Sequence, residues 1–341
     1  EPNDPNRGDV HYWEVWHGNK PFSEYRKYFF RYASEFGFQS FPSVKTLETV
    51  TDDPRELNPF SYVMEKHQRN YGGNGKIAKY MQAAYRYPEN FSDFVYASQL
   101  LQADGIRYGV EHYRRNRGRC MGAIYWQLND CWPVISWSSI DYYGRWKALH
   151  YYAKRFFAPV MLSCEEQSWM TVEADMNRQH FEFEKSIRLN VTNETLSARK
   201  VLVKFAVRDA SAKILRQEER WVEVPALSSV WMDKVELPGI DCFNEYVSYE
   251  AWENEKIISQ GTVIFSYPKY FHYQDPKLSV RVEGDEIIVS AEAYAKSVEI
   301  QNENDDLILE DNYFDMNAGE RRVKILDGKP ENLKVRSVYD I

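Results

Sequence analysis

Nothing in these 341 residues is built to cross a bilayer or to grip a polyanion. No apolar run approaches the roughly 20 residues that a membrane helix needs. Basic runs are missing as well, and a net charge of −8 repels a phosphate backbone. Neither a membrane nor a nucleic acid is therefore an expected partner. Cysteine is scarce: Cys120, Cys131, Cys164 and Cys242 form no CxxC or metal-type spacing and read as free, mostly buried thiols. Unpaired thiols fit a reducing, cytoplasmic compartment, whereas N-x-S/T tripeptides at Asn90, Asn190 and Asn193 leave a secreted or lysosomal one open. Because residue 1 is Glu, no signal peptide can be read. The seven histidines (11, 17, 67, 112, 150, 180, 272) show no HExxH or paired spacing, and His11 and His17 stand six apart in a loop. No metal and no cofactor is expected. The sequence has no G-x-S-x-G nucleophile elbow. Gly72-Gly73-Asn74-Gly75 matches neither a P-loop nor a dinucleotide fingerprint and reads as a flexible turn.

What the chain has in plenty is aromatic rings: 25 Tyr, 18 Phe and 10 Trp, 16% of the residues. Most of these belong to packed cores, and the remainder are candidate platforms for the C–H face of a pyranose. With 43% hydrophobic and 28% charged residues the composition is that of a soluble globular protein, and the length suits two or three domains.

Two kinds of pattern divide the chain. Residues 1–28, with Pro2, Pro5 and Pro21, read as loop with short helical pieces, followed by a strand over about 30–37. A helix is predicted from about Ser92 to Asn116, with Ser92 as N-cap and Phe94, Ala97, Leu101 and Tyr108 as its buried stripe. Arg114, Arg115 and Arg117 suit its C-terminal dipole, and Gly118 suits its end. A second strand follows at 120–126, and Trp146, Leu149, Ala153 and Phe157 mark another helix ending before Pro159. From residue 160 short alternating runs take over, about seven of them up to Pro268, including 187–191 and 201–207. Leu278, Val280 and Val282 then alternate with polar residues before a Gly284-Asp285 turn. The expected organisation is an α/β unit over 1–158 and β-sandwiches over 159–268 and 269–341.

Residues 30–41 read Phe-Arg-Tyr-Ala-Ser-Glu-Phe-Gly-Phe-Gln-Ser-Phe, which sets one carboxylate, Glu35, inside an apolar strand. An unpaired buried carboxylate costs several kcal/mol, so such a residue stands at a strand end, is paired, or is catalytic. The stretch 121–133, Met-Gly-Ala-Ile-Tyr-Trp-Gln-Leu-Asn-Asp-Cys-Trp-Pro, is likewise a short apolar strand ending in aromatic and polar groups. Two strands that carry chemistry at their C-terminal ends, separated by helices, have the form of the last part of a (β/α)8 barrel.

Five segments carry a resemblance: Gly-Asp-Val-His-Tyr-Trp-Glu-Val-Trp-His-Gly (8–18), Ser-Glu-Phe-Gly-Phe-Gln-Ser-Phe-Pro (34–42), Tyr-Trp-Gln-Leu-Asn-Asp-Cys-Trp-Pro (125–133), Trp-Lys-Ala-Leu-His-Tyr-Tyr-Ala-Lys-Arg-Phe-Phe-Ala-Pro (146–159) and Asp-Asn-Tyr-Phe-Asp (311–315). In these, and in their order, the chain resembles the β-mannosidases of glycoside hydrolase family 2. The resemblance implies the C-terminal part of a (β/α)8 barrel followed by two immunoglobulin-like β-sandwiches. It implies retaining exo-hydrolysis of terminal β-mannosyl residues, with β-mannoside oligosaccharides or glycoconjugates as substrates. Glu35 takes the place of the nucleophile. Trp126 falls where the family has an aromatic floor under the sugar, and Trp13, Trp16 and His17 fall in a loop at the barrel mouth. Asn129 and Asp130 are candidate sugar ligands, Asp130 equally a cap of its own loop. Trp137 and Tyr142 read as core. The family's acid/base Glu follows Gly-Asn in an upstream motif, and none precedes Glu35 here, since Gly72-Gly73-Asn74-Gly75 comes later and lacks the Glu. A barrel of this kind takes about 250 residues. The expectation is thus a C-terminal portion that carries half of the catalytic pair and has the N-terminal remainder of the same polypeptide as its partner.

A reading from another class is a non-catalytic carbohydrate-binding or scaffold module in which the sandwiches bind. Within the enzymes, β-galactosidase, β-glucuronidase and exo-glucosaminidase specificities are the alternatives.

Overall fold

The structure, a computed structural model, describes residues 3–172 and 183–341. Strands β1 (Val10–His11) and β2 (Ala33–Phe36) precede four helices: α1 (Val44–Leu47), α2 (Tyr62–Lys66), α3 (Gly73–Ala84) and α4 (Phe91–Arg115). Strand β3 (Ala123–Tyr125) and helix α5 (Ala148–Phe156) complete the α/β stretch, whose sheet has the order β1-β2-β3. The chain folds into two compact units. One holds Glu1–Glu35, Arg107–Ile124 and Lys154–Tyr273, the other Phe36–Ile106, Tyr125–Ala153 and Gln274–Ile341.

In the first unit β1 lies parallel to β2, with Val10 opposite Ala33 and His11 opposite Glu35. On the other side the Ala33 N–H donates to the Gly122 carbonyl at 3.0 Å, and Met121 N–H to Arg31 O at 2.8 Å. Gly122 leaves room for the Tyr32 ring, which a Cβ there would force to move. The three arginines at the end of α4 do more than meet a dipole. Arg114 Nη1 donates to Phe156 O at 2.6 Å, Arg115 pairs with Glu111 (3.3 Å) and Glu165 (3.7 Å), and Arg117 pairs with Glu194 (3.1 Å). A second buried pair, Arg26 with Glu166 at 2.9 Å, is joined by the Tyr108 hydroxyl at 2.5 Å from Glu166. Burial drives the Glu166 carboxyl up, but Arg26 and the Tyr108 hydroxyl outweigh it and hold it below the ordinary range.

Among the described residues seven strands then follow: β4 (Val160–Gln167), β5 (Ser186–Asn193), β6 (Arg199–Asp209), β7 (Ile214–Val224), β8 (Ser228–Glu236), β9 (Glu245–Glu253) and β10 (Lys256–Ile264). They form sheets of order β10-β9-β6-β7 and β4-β5-β8, closed over Leu162, Ile187, Val191, Val203, Val222, Val247 and Phe265. Along β6 the period of two is plain: Val201, Val203, Phe205 and Val207 face inward between Lys200, Leu202 and Lys204. Asn190 and Asn193 are buried, and Asn193 Nδ2 donates to the Ser197, Val224 and Pro225 carbonyls, so the folded chain offers neither as a glycan acceptor.

In the second unit the cap of α4 lies two residues before the predicted one. The cap is Asn90, whose Oδ1 accepts the Asp93 N–H at 3.0 Å; Ser92 already lies inside the helix and accepts from Arg336 at 3.1 Å. The predicted stripe is buried, but so are Tyr96, Leu100 and Ala103 off it. Polar residues make this possible by bonding inward: Gln102 Nε2 donates to Phe38 O (2.9 Å) and Trp137 O (3.0 Å), and Ser98 Oγ accepts Phe41 N–H (3.1 Å). The last sandwich pairs β11 (Ser279–Glu283), β12 (Glu286–Ala291), β16 (Gly319–Asp327) and β14 (Ile308–Leu309) in one sheet. The other holds β15 (Phe314–Met316), β13 (Ala295–Gln301) and β17 (Lys334–Arg336). Gly284 makes the predicted β11–β12 turn at φ +64°. Among the described residues no helix is long and apolar enough to cross a membrane.

Candidate active site

Glu35 ends the first unit's share of β2, with its side chain only partly exposed. Its backbone is fixed by the Tyr12 N–H, which donates to Glu35 O at 2.7 Å. In β1 and the residues after it, alternation buries Val10 and Tyr12 and turns His11 and Trp13 the other way. Both then reach one atom: His11 Nδ1 lies 2.9 Å and Trp13 Nε1 3.0 Å from Glu35 Oε2. An ionised carboxylate only accepts, so Nδ1 of His11 carries the proton of that contact. Glu35 Oε1 has no hydrogen-bond partner among the described residues. Behind the histidine, Asp9 stands 3.9 Å from His11 Nε2 and accepts the Ser34 hydroxyl at 2.6 Å, which holds the Asp9 carboxyl below its ordinary range. The result is a carboxylate whose plane is set through one oxygen while the other stays open.

Other predicted positions in this unit divide. Trp13 heads a helical turn, with His17 N–H on its carbonyl at 2.7 Å, and the exposed His17 ring lies 5.2 Å from the Trp13 ring. Trp16 is fully buried and offers no face to a sugar, which corrects its reading as a substrate contact: it packs the base of the turn.

The second unit holds the remaining candidates. Trp126 follows β3, donates its backbone N–H to Phe36 O at 2.8 Å and is 44% exposed. Asn129 is exposed in the same loop. Asp130 is occupied: Ser136 Oγ (2.7 Å), Ser138 Oγ (2.5 Å) and Gln127 Nε2 (3.2 Å) all donate to it. Both its oxygens therefore tie the loop together, the role of loop cap that the sequence reading also allowed. Beneath it, buried Lys147 donates to Ser40 O and Ser136 O at 3.3 and 3.4 Å, and burial lowers its amine to about 8. Trp137 is buried as expected, whereas Tyr142 is exposed against Tyr143 and is not core. Among the described residues no three His, Cys, Asp or Glu side chains are grouped to hold a metal ion, and His180 lies outside those residues.

Two family models match, a mannosidase Ig/CBM-like domain at residues 185–270 and an Ig-fold domain of the mannosidases at 273–341. A β-mannosidase B of Thermothelomyces thermophilus is 30% identical across 97% of this chain and 41% of its own length. A crystal structure of a β-D-mannosidase from Dictyoglomus thermophilum superposes with a TM-score of 0.84 at 27% identity, over 98% of this chain and 41% of that one. Over nearly its whole length the chain corresponds to the C-terminal region of the β-mannosidases of glycoside hydrolase family 2. It spans about two-fifths of the length of these relatives. An exo-chitosanase of Amycolatopsis orientalis shares the fold at TM-score 0.67 and 15% identity, over 90% of this chain and 42% of that one.

Of the groups around Glu35, His11 escaped the sequence reading. Its signal was local: it stands two residues from Trp13, on the outward side of a Val10-x-Tyr12 alternation. Which carboxylate a two-residue strand faces follows from the register β1 adopts on β2, and no periodicity within a single strand contains that.

Proposed function

We propose that this chain carries the nucleophile of a retaining exo-β-mannosidase and that the nucleophile is Glu35. One observation carries the reading: a strand-end carboxylate has one oxygen gripped by His11 and Trp13 and the other open. A nucleophile of this class needs a fixed, accessible lone pair and no metal or cofactor. In the reaction Oε1 of Glu35 attacks C1 of a terminal β-mannosyl unit while an acid protonates the departing oxygen. Water, activated by that same group as base, then frees mannose from the glycosyl ester. The two carboxyl groups stand about 5–5.5 Å apart in such enzymes. The second one is assigned to the N-terminal remainder of the polypeptide. The parallel pairing of β1 and β2 supports reading residues 1–158 as the last part of a (β/α)8 barrel, with β-sandwiches over 159–268 and 269–341. His17 is proposed to face the sugar, and the compartment is proposed to be the cytoplasm.

The test is release of 4-nitrophenol from its β-mannoside by the full-length protein and by this chain. Activity in the long protein that falls by about 10⁴-fold or more in Glu35→Gln, with none in this chain, is the expected result. A long protein that binds mannosides without turning them over would leave a binding module instead. Loss of less than tenfold in Glu35→Gln would remove the nucleophile from this residue.

A further inference from the structure

Within the second unit a cavity of about 400 Å³ lies far along the chain from Glu35, between the 143–151 stretch and the 300–313 segment. Its volume falls in the range of small-molecule sites. We propose that it is a second carbohydrate site, which holds a single neutral pyranose unit.

The polar groups on its wall are of both kinds, and several are unused. Arg145 spends Nη1 on Thr46 Oγ1 at 3.2 Å, while its Nη2 has no hydrogen-bond partner among the described residues. The Trp146 indole N–H has no hydrogen-bond partner among those residues either; its ring is held edge-on by His150 and Tyr151, at 4.5 and 5.2 Å. Opposite these donors stand acceptors. Asp305 bonds Ser43 through Oδ2 alone, and Asp306 uses Oδ1 on Asn302 Nδ2 at 2.6 Å. Gln301 donates to Glu299 at 3.0 Å and keeps its carbonyl oxygen.

This mixture selects the ligand class. An anion would find the Arg145 and Trp146 donors but would be repelled by Asp305 and Asp306. A metal ion or ammonium would satisfy the carboxylates and leave both donors empty. Hydroxyl groups, unlike either kind of ion, donate to carboxylates and accept from a guanidinium and an indole at once, and a pyranose carries several of them on one ring. The Trp146 ring adds a flat apolar surface of the kind that the C–H face of a pyranose covers. None of these residues belongs to the proposed catalytic group, so the inference does not rest on the nucleophile being Glu35.

The test is a spectrum of the chain labelled with ¹⁵N in its ten tryptophan indoles, with the Trp146 resonance assigned by its loss in Trp146→Phe. D-mannose is expected to move that resonance saturably, and to do so equally in Glu35→Gln. Asp305→Asn, which keeps shape and removes the charge of one acceptor, is expected to weaken the effect about tenfold. The proposal is overturned if mannose produces no saturable shift, if Asp305→Asn binds as well as the parent, or if inorganic phosphate moves the resonance as mannose does. It is overturned too if Glu35→Gln abolishes the shift, since the sugar would then be acting from the other site.

Discussion

At the scale of single residues, the two donors on Glu35 act by position. Neither His11 nor Trp13 exchanges a proton with substrate in the proposed reaction; each fixes the plane in which Oε1 meets the anomeric carbon. A misplacement of about 1 Å at a reacting centre is enough to cost about 10²-fold. In the full-length protein, His11→Ala and Trp13→Phe should each lower kcat by about that factor with little change in KM and in melting temperature. A fall in melting temperature with kcat unchanged would make both residues merely structural. Asp305 gives a prediction of a different kind. Burial, the largest influence on it, pushes its carboxyl from 3.8 up to about 6. Between these values the folded chain keeps a proton that the unfolded chain has lost, so stability falls as pH rises through that window and stays lower above it. Asp305→Asn should therefore raise the melting temperature at pH 7.5 and lose that advantage below about pH 4. The backbone favours the test, since φ at this position is +52°, where Asn is readily accommodated. An equal gain at both pH values would refute the electrostatic cause.

At the scale of elements, periodicity told much and partners little. The change of period at residue 160 announced the β-rich half, and the two runs at 187–191 and 201–207 lie inside β5 and β6. Helix α4 was legible because Phe94, Ala97, Leu101 and Tyr108 keep helical spacing, yet the same spacing could not reveal a helix buried nearly all round. The missing information is which backbone carbonyls Gln102 and Ser98 find, and that belongs to the tertiary structure. Arg26 shows the same gap. It ends a short 3-10 helix, Phe22–Arg26, and makes a buried pair with Glu166 of β4 under the Tyr108 hydroxyl. Removing one charge from such a pair strands the other, which typically costs about 3–5 kcal/mol. Glu166→Gln should show that loss in urea unfolding with m unchanged, whereas Glu320→Gln, in an exposed pair with Arg281, should leave the urea midpoint nearly unchanged.

At the scale of the whole molecule, each compact unit draws on three separate stretches of chain and on one sandwich. Trp16 and Tyr142, read from sequence as site and core, exchanged those surroundings for the same reason: exposure is decided by residues distant in the chain. The distribution of thiols has a practical outcome. Cys120, Cys164 and Cys242 are buried, and burial raises all three, Cys120 to about 11, so almost no thiolate forms at neutral pH. Cys131 alone is exposed, one residue past Asp130 in the loop that carries Trp126. The native chain therefore has a built-in single attachment point: a maleimide dye should couple once per molecule, rising to four after denaturation. A reporter placed there would register directly whether an added β-mannoside reaches this loop.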